Sequence, residues 1–247
     1  MNNSPVGFFD SGIGGTCVLE AFKKACPFES TVYLADKARC PYGNKSRAEI
    51  LEISRENVAA LLRMPCKAVV VACNTASAAA IDDLRKENAG IPFIALEPAI
   101  KPAALKTRSG VVGVLATAGT FGGRLYRETK EKFASNVRVV ASVADDFVEL
   151  VERGIVDGPL VESDVKNRIG PLLEEGCDEI VLGCTHFPHL KAAIERYVDG
   201  RAQIIDPSRA VAERIKSVLA EKDLLNSGNM AASHLYIDTS QGKGKEV

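Results

Sequence analysis

The stretch that decides the fold is VVVACNTA at residues 69–76, and EIVLGCTH at residues 179–186 repeats its pattern. Each is an apolar run of strand length, followed by a small residue, a cysteine and then hydroxyl, amide or imidazole side chains. A cysteine between a buried strand and small polar residues differs from the usual core cysteine, which behaves as a small hydrophobe. We therefore treat Cys73 and Cys184 as candidate functional thiols, one in each half of the chain.

A second pair of segments also indicates an internal repeat. GFFDS at residues 7–11 aligns with GVLAT at residues 113–117, at nearly the offset that aligns the two cysteine stretches. Strands alternate with helices in both halves, which predicts an α/β fold with two domains of like topology, each a mainly parallel sheet flanked by helices. Ligands of such sheets bind beyond the carboxyl ends of the strands. Because Asp10, Cys73, Thr117 and Cys184 all follow predicted strands, we expect one site in the cleft between the domains.

The predicted elements suggest where the chain crosses between the domains. Strands are predicted at 6–10, 31–35, 69–73, 92–96, 110–115, 137–142, before Cys184 and at 203–205, with a further candidate at 235–237. Helices are predicted at 16–25, 75–86, 145–153, 159–175 and 190–197. Two more are predicted to begin at the capping box Ser46–Glu49 and at residue 123, and a last one runs to 220 with Asp206 as its N-cap. Glu97-Pro98 and Asp206-Pro207 are the crossing points, so residues 1–97 and 207–247 are predicted to form the first domain and 98–206 the second. Residues 241–247 are predicted to be a disordered tail.

Composition argues against several classes of protein. The 247 residues carry 31 Lys and Arg against 32 Asp and Glu, so no basic excess predicts binding to nucleic acid or to an anionic membrane. No apolar run approaches the ~20 residues of a membrane span, and no secretory signal is evident, so we expect a cytoplasmic protein. The seven cysteines are odd in number and lack C-x-x-C spacing, which disfavours a disulfide framework and a zinc site.

Two thiols on opposite faces of one ligand suit proton transfer at a carbon atom. A disulfide exchanger would place its cysteines adjacent or in contact, and a covalent catalyst would pair one cysteine with a histidine base. With Cys73 and Cys184 opposed, one thiolate would take a proton and the other thiol would return one on the far side. That exchange inverts a stereocentre. A free cysteine titrates near ~8.5, so modest stabilisation gives a thiolate near neutral pH.

Polar side chains near each thiol are candidate partners. Asp10 is the candidate beside Cys73, although it would equally serve as an N-cap of the first helix. His186 and Glu152 are candidates for the Cys184 side, and His186 would alternatively make only structural hydrogen bonds. Small donors at the strand ends are Ser11, Asn74, Thr75 and Thr185, and a candidate binding turn is Pro41-Tyr42-Gly43. The GIGG loop at 12–15 matches neither the Walker pattern nor GxGxxG, so it predicts a nucleotide site only weakly.

Four segments together carry a resemblance to a known family. They are FDSGIGG at residues 9–15, ARCPYGNKS at 38–46, ACNTAS at 72–77 and GCTHFP at 183–188. In this order, over residues 6–220, the chain resembles the cofactor-independent glutamate racemases of bacterial cell-wall synthesis. The resemblance implies two α/β domains in a pseudo-twofold relation, glutamate as the small-molecule substrate, no cofactor or metal, D-glutamate supply for peptidoglycan, and assembly as a homodimer.

The resemblance also implies roles for individual residues. Cys73 would deprotonate D-glutamate with help from Asp10, and Cys184 would deprotonate L-glutamate with help from His186 and Glu152. The α-amino and α-carboxylate groups would be held by Ser11, Asn74, Thr75 and Thr185, and the side-chain carboxylate by Pro41, Tyr42 and Gly43. The chain departs from the family at residues 143–146, where VADD replaces a Cys-Pro-like stretch.

Two alternatives remain at this point. The first is a racemase of the same superfamily that acts on aspartate or another acidic compound, although the 41–43 turn favours glutamate. The second is a two-lobed binding protein or redox sensor that uses Cys73 and Cys184 as a switch.

Overall fold

A computed structural model describes residues 3–134, 136–226, 228, 231–241 and 243–246. The chain forms two sheets. The first has the strand order β10-β9-β2-β1-β3-β4, in which β10 alone is antiparallel to its neighbour. Its strands are β1 (Val6–Asp10), β2 (Thr31–Ala35), β3 (Ala68–Val71), β4 (Phe93–Ala95), β9 (His234–Asp238) and β10 (Lys243–Glu246). Buried runs such as Val69-Val70-Val71 form parallel strands because helices cover both faces of the sheet.

Four helices cover the first sheet: α1 (Thr16–Ala25), α2 (Arg47–Leu62), α3 (Asn74–Glu87) and α10 (Ser208–Glu221). Alternate side chains of a strand point to opposite faces. Phe8 accordingly packs in one core with α1 and α10, and Phe9 packs in another with α2 and α3. The predicted capping box opens α2, where the Ser46 side chain accepts from Glu49 N and the Glu49 carboxylate accepts from Ser46 N.

The second sheet is all parallel, with the order β6-β5-β7-β8. Its strands are β5 (Val111–Ala116), β6 (Arg138–Val143), β7 (Glu179–Leu182) and β8 (Gln203–Ile205). Its helices are α4 (Ile100–Lys106), α5 (Ala118–Phe121), α6 (Arg124–Phe133), α7 (Asp145–Glu152), α8 (Pro159–Glu174) and α9 (Lys191–Val198), and 3-10 turns span Lys37–Arg39 and Phe187–Leu190. The order second-first-third-fourth matches β2-β1-β3-β4 of the first sheet, which confirms the predicted pair of like α/β units.

Several sequence predictions were wrong in detail. Helix α4 was not predicted, because Pro102 reads as a helix breaker; it lies in the first turn, where a missing N–H costs no hydrogen bond. The last helix begins at Ser208 rather than Pro207, so Pro207 and not Asp206 is the N-cap residue, and the Asp206 carboxylate accepts from Ser208 N. The predicted disordered tail contains β10, which pairs with β9. Residues 242 and 247 of that tail lie outside the described residues.

The predicted domain boundaries at 97/98 and 206/207 stay a prediction. The first sheet takes its strands from residues 6–95 and 234–246, and the second takes its strands from residues 111–205. No helix among the residues described is long and apolar enough to cross a membrane.

Candidate active site

A cavity of about 160 Å³ lies where the carboxyl ends of strands from the two sheets face each other. Drug-sized sites hold roughly 300–1,000 Å³, so this cavity suits a ligand of only a few carbon atoms. Both cysteine side chains lie on its wall. The other lining residues are Ser11, Pro41, Tyr42, Gly43, Asn44, Thr75, Thr117, Asp145, Val148, Glu149, Thr185 and His186. Three predicted site residues, Asp10, Asn74 and Glu152, do not line the cavity.

Cys73 lies at the N-cap of α3, two residues beyond the end of β3. Its sulfur accepts a hydrogen bond from Ala76 N at 3.5 Å and lies 3.9 Å from the Ser11 hydroxyl oxygen. The residue is only 5% exposed. Burial, together with the negative charge of Asp10, raises the pKa of the Cys73 thiol well above its ordinary value. At neutral pH, Cys73 is therefore a protonated thiol, able to donate a proton.

Cys184 lies beside a buried imidazole, in contrast to Cys73. Its sulfur is 3.8 Å from His186 Nδ1, and His186 Nε2 lies 2.6 Å from Glu152 Oε1. Burial by itself would lower the pKa of His186, but the contacts with Cys184 and Glu152 outweigh it and raise the pKa to about 10. The pKa of Glu152 is lowered because the His186 contacts outweigh its partial burial. At neutral pH the pair is an imidazolium and a carboxylate, so a buried positive charge lies beside the Cys184 sulfur.

The glycine-rich loop at 12–15 packs directly on this ion pair. Ile13 N donates to Glu152 Oε1 at 2.7 Å. A Cβ atom at Gly12 would lie 1.8 Å from Glu152 Oε1, and one at Gly14 would lie 2.5 Å from His186 Nδ1. The glycines are therefore needed for close approach between the first domain and the ion pair. This packing explains why the loop is rich in glycine, so the GIGG sequence does not require a nucleotide-binding role.

Asp10 lies at the end of β1, behind the cavity wall. Its carboxylate accepts from Gly15 N at 2.9 Å and from the Thr185 hydroxyl at 3.4 Å. Burial raises its pKa, although the charge of His186 partly opposes the effect. Asp10 does not cap α1, whose N-cap is Gly15 without a side-chain hydrogen bond. Its contacts instead join the glycine-rich loop of the first domain to the strand end that carries Cys184.

The predicted binding turn forms one side of the cavity, but its phenol is already engaged. The Tyr42 hydroxyl donates to Asp36 Oδ2 and accepts from Asn57 Nδ2 at 3.0 Å. A ligand can therefore meet this turn through its backbone and the Tyr42 ring, and the hydroxyl fixes the position of the turn. A Cβ atom at Gly43 would lie 2.9 Å from Asp145 Oδ1, so glycine lets the turn approach the second domain.

Hydroxyl groups cross the cavity floor between the domains. Thr75 Oγ1 lies 2.9 Å from Thr117 Oγ1, which lies 3.0 Å from Thr120 Oγ1. Thr117 was predicted to reach the cleft from a strand end but was given no role, and Asp145 was not predicted. The internal repeat contained the signal for Thr117, because it aligns with Ser11. Asp145 had no such signal, since its position depends on the packing of α7.

The buried Asn74 Nδ2 has no hydrogen-bond partner among the residues described, so it remains free to donate to a ligand.

One group of side chains has the composition of a metal site. Cys40, Glu152 and His186 offer ligand atoms that all lie within 4.8 Å of one another. Two of them, Glu152 and His186, already hydrogen-bond directly at 2.6 Å. The expectation that the protein uses no metal stays a prediction.

Comparison with known proteins agrees with this geometry. A family model described as Asp/Glu/Hydantoin racemase matches residues 16–215. The chain belongs to the Asp/Glu/hydantoin racemase family. Within this family, the chain is 44% identical to a glutamate racemase from Roseiflexus sp., over 96% of this chain and 87% of that relative. It is 40% identical to a glutamate racemase from Pseudomonas aeruginosa, over 96% of this chain and 89% of that one.

Solved racemase structures share the two-domain fold. The chain is similar to the glutamate racemase of Francisella tularensis in complex with D-glutamate, with a TM-score of 0.85 and 33% identity over 97% of this chain and 89% of that one. It is also similar to Escherichia coli glutamate racemase in complex with L-glutamate and an activator, with a TM-score of 0.84 and 32% identity over 95% and 88% of the two chains. Both likenesses confirm the predicted fold class.

Proposed function

We propose that the protein is a glutamate racemase, an isomerase that interconverts L- and D-glutamate by two-base proton transfer at the α-carbon. The observation that carries the proposal is that Cys73 and Cys184, one from each domain, both line one small cavity. Further support comes from relatives named glutamate racemase at 40–44% identity and from similar structures described with D- or L-glutamate bound. The aspartate and redox-switch alternatives have no comparable support.

The two sides of the cavity hold different protonation states. His186 is an imidazolium beside Cys184, whereas Cys73 is a buried thiol near Asp10. In the L-to-D direction Cys184, acting as a thiolate, removes the α-proton of L-glutamate, and the Cys73 thiol protonates the carbanion on the opposite face. The product is D-glutamate, and the two sulfurs have exchanged protonation states, so the reverse reaction begins at Cys73.

Substrate binding uses polar groups on the cavity wall and directly next to it. Asn74 Nδ2, a buried donor with no partner among the residues described, supports a role in holding the α-carboxylate. Ser11, Thr75 and Thr185 present hydroxyls or backbone around the same space. The backbone of the 41–43 turn faces the cavity from the side, where it would take the side-chain carboxylate. Asp10 and Glu152 act from behind the wall as positioning residues.

Deuterium incorporation in D₂O tests the proposal. The enzyme should wash deuterium into the α-position of L-glutamate and of D-glutamate, and chiral chromatography should show their interconversion without added cofactor. Exchange of aspartate but not glutamate would favour the superfamily alternative. No exchange of either substrate would reject the racemase proposal.

The family resemblance extends the proposal to the cellular role. We infer that D-glutamate from this reaction serves peptidoglycan synthesis in the cytoplasm and that the active form is a homodimer. Light scattering coupled to size-exclusion chromatography tests the dimer, and a chromosomal deletion should make growth depend on added D-glutamate.

A further inference from the structure

The C-terminal segment contacts the loop before the binding turn through the Thr239 hydroxyl and through an ion pair between Asp238 and Lys37 Nζ at 3.6 Å. Thr239 directly follows β9, which extends the first sheet beside β2. Its hydroxyl donates to Asp36 Oδ1 at 3.1 Å and accepts from Ala38 N at 3.0 Å. Its backbone N donates to Ala35 O at 3.1 Å. None of these contacts involves the two thiols or their partners.

Asp36 is the centre of a cluster formed with Arg39, Tyr42 and Asn57, which we call the Asp36 cluster. The Asp36 side chain is fully buried. It accepts from Arg39 Nε at 2.8 Å, from the Tyr42 hydroxyl, and from Asn57 Nδ2 at 3.3 Å. Asn57 closes the cluster, because its amide also contacts the Tyr42 hydroxyl at 3.0 Å and Arg39 at 2.9 Å. Thr239 is the member of this network that comes from the C-terminal segment.

The Asp36 cluster determines where the binding turn lies. Tyr42 is 1% exposed and lines the cavity together with Pro41 and Gly43. Its hydroxyl is directed into the cluster, so Asp36 and Asn57 hold the turn from behind. Hydrogen bonds in a buried side-chain network strengthen one another, so the loss of one donor affects the others. Loss of the Thr239 hydroxyl would therefore shift the Asp36 carboxylate and, through it, the turn.

We propose that Thr239 is a positioning residue for substrate binding, and that the C-terminal segment therefore belongs to the substrate-binding apparatus. The proposal rests on the proposed function, because the ligand of the turn is taken to be glutamate. Thr239 touches neither thiol, so its loss should weaken substrate binding and leave proton transfer largely intact. The expected signature is a higher KM with little change in kcat.

The test compares three variants with the wild type. Thr239→Val keeps the size and branching of the side chain but removes the hydroxyl, and should raise KM for glutamate about 3- to 10-fold with kcat within about twofold. Thr239→Ser keeps the hydroxyl and should restore KM. Ser240→Ala is the matched control: the Ser240 hydroxyl donates to Asp238 Oδ1 at 2.6 Å, and among the residues described it contacts no member of the Asp36 cluster. Should Thr239→Val melt below the assay temperature, Thr239→Ala provides the same comparison.

A calorimetric titration with D-glutamate gives a readout independent of turnover, and the Kd should rise by the same factor as KM. An unchanged KM and Kd in Thr239→Val, or an equal change in Ser240→Ala, would overturn the inference while the wild type still racemises glutamate. A wild type that neither exchanges nor binds glutamate would instead reject the proposed function, and this inference with it.

Discussion

Replacement of Glu152 by glutamine tests the role of the Glu152–His186 ion pair beside Cys184, because it removes the negative charge and keeps the shape of the side chain. The glutamine oxygen can still accept from Ile13 N, as Glu152 Oε1 does at 2.7 Å. The pKa of His186, raised from 6.5 to about 10, corresponds to roughly 5 kcal/mol in favour of the imidazolium. The contact with Glu152 is one of those that raise this pKa against burial, and a hydrogen bond between charged groups contributes about 2 kcal/mol. We therefore expect kcat/KM to fall about 30-fold.

The pH profile and the symmetry of the reaction distinguish this effect from misfolding. Without the carboxylate, burial lowers the pKa of His186, so the imidazolium is lost at lower pH and the basic limb of kcat/KM moves toward acid. Because the enantiomers have equal free energy in water, kcat/KM must fall equally in both directions. The primary isotope effect on kcat/KM should grow for α-deuterated L-glutamate, because its deuteron would go to Cys184. It should grow less for α-deuterated D-glutamate. The assay is circular dichroism of racemisation from pH 6 to 10.

Glu162→Gln is a matched control, because Glu162 is an exposed carboxylate in the second α/β unit. It should leave the rate and the pH profile unchanged. A Glu152→Gln enzyme within about threefold of wild type, with the basic limb in place, would refute the role assigned to the Glu152–His186 pair.

Three further predictions concern His186, Gly14 and Glu29. Because the folded-state pKa of His186 is raised, its contribution to stability is fully present below pH 6.5 and is lost as pH rises to about 10; urea unfolding should show this slope in wild type and a smaller one in His186→Asn. Gly14→Ala places a Cβ atom 2.5 Å from His186 Nδ1 and should lower kcat at least about tenfold, whereas Gly90→Ala, with nothing within 4 Å, should leave it unchanged; an active Gly14→Ala would contradict the packing. Glu29→Gln neutralises one member of the buried Glu29–Lys67 ion pair, in which the two charged atoms lie 2.6 Å apart. It should lower the free energy of unfolding by about 3–5 kcal/mol, with a normal KM in the folded fraction, and a loss below about 1 kcal/mol would contradict it.

Patterns within the sequence were enough to predict the topology of both units. The apolar runs before Cys73 and Cys184 form β3 and β7, and the repeat that aligns residues 7–11 with 113–117 corresponds to equivalent central strands, β1 and β5. These signals are local, because a buried parallel strand needs a continuous apolar run. The site residues at strand ends follow from the same rule.

Features that depend on packing between distant segments could not be predicted in this way. The GIGG loop reads as a flexible turn, and only the structure places it against Glu152 and His186. The Tyr42 phenol reads as a ligand donor, but Asp36 and Asn57 occupy its hydroxyl. Likewise, β10 has a composition typical of a disordered tail, and its pairing with β9 depends on an edge that the preceding chain builds.

If two opposed thiols each serve one enantiomer, serine variants will separate the two half-reactions. In D₂O, Cys73→Ser and Cys184→Ser should each lose racemisation by about 10²–10⁴-fold, because a serine hydroxyl is a far weaker acid than a thiol. Residual deuterium wash-in should enter L-glutamate in Cys73→Ser and D-glutamate in Cys184→Ser, each through the remaining thiol. Racemisation at the wild-type rate in either variant, or wash-in into the opposite enantiomers, would contradict the two-thiol account.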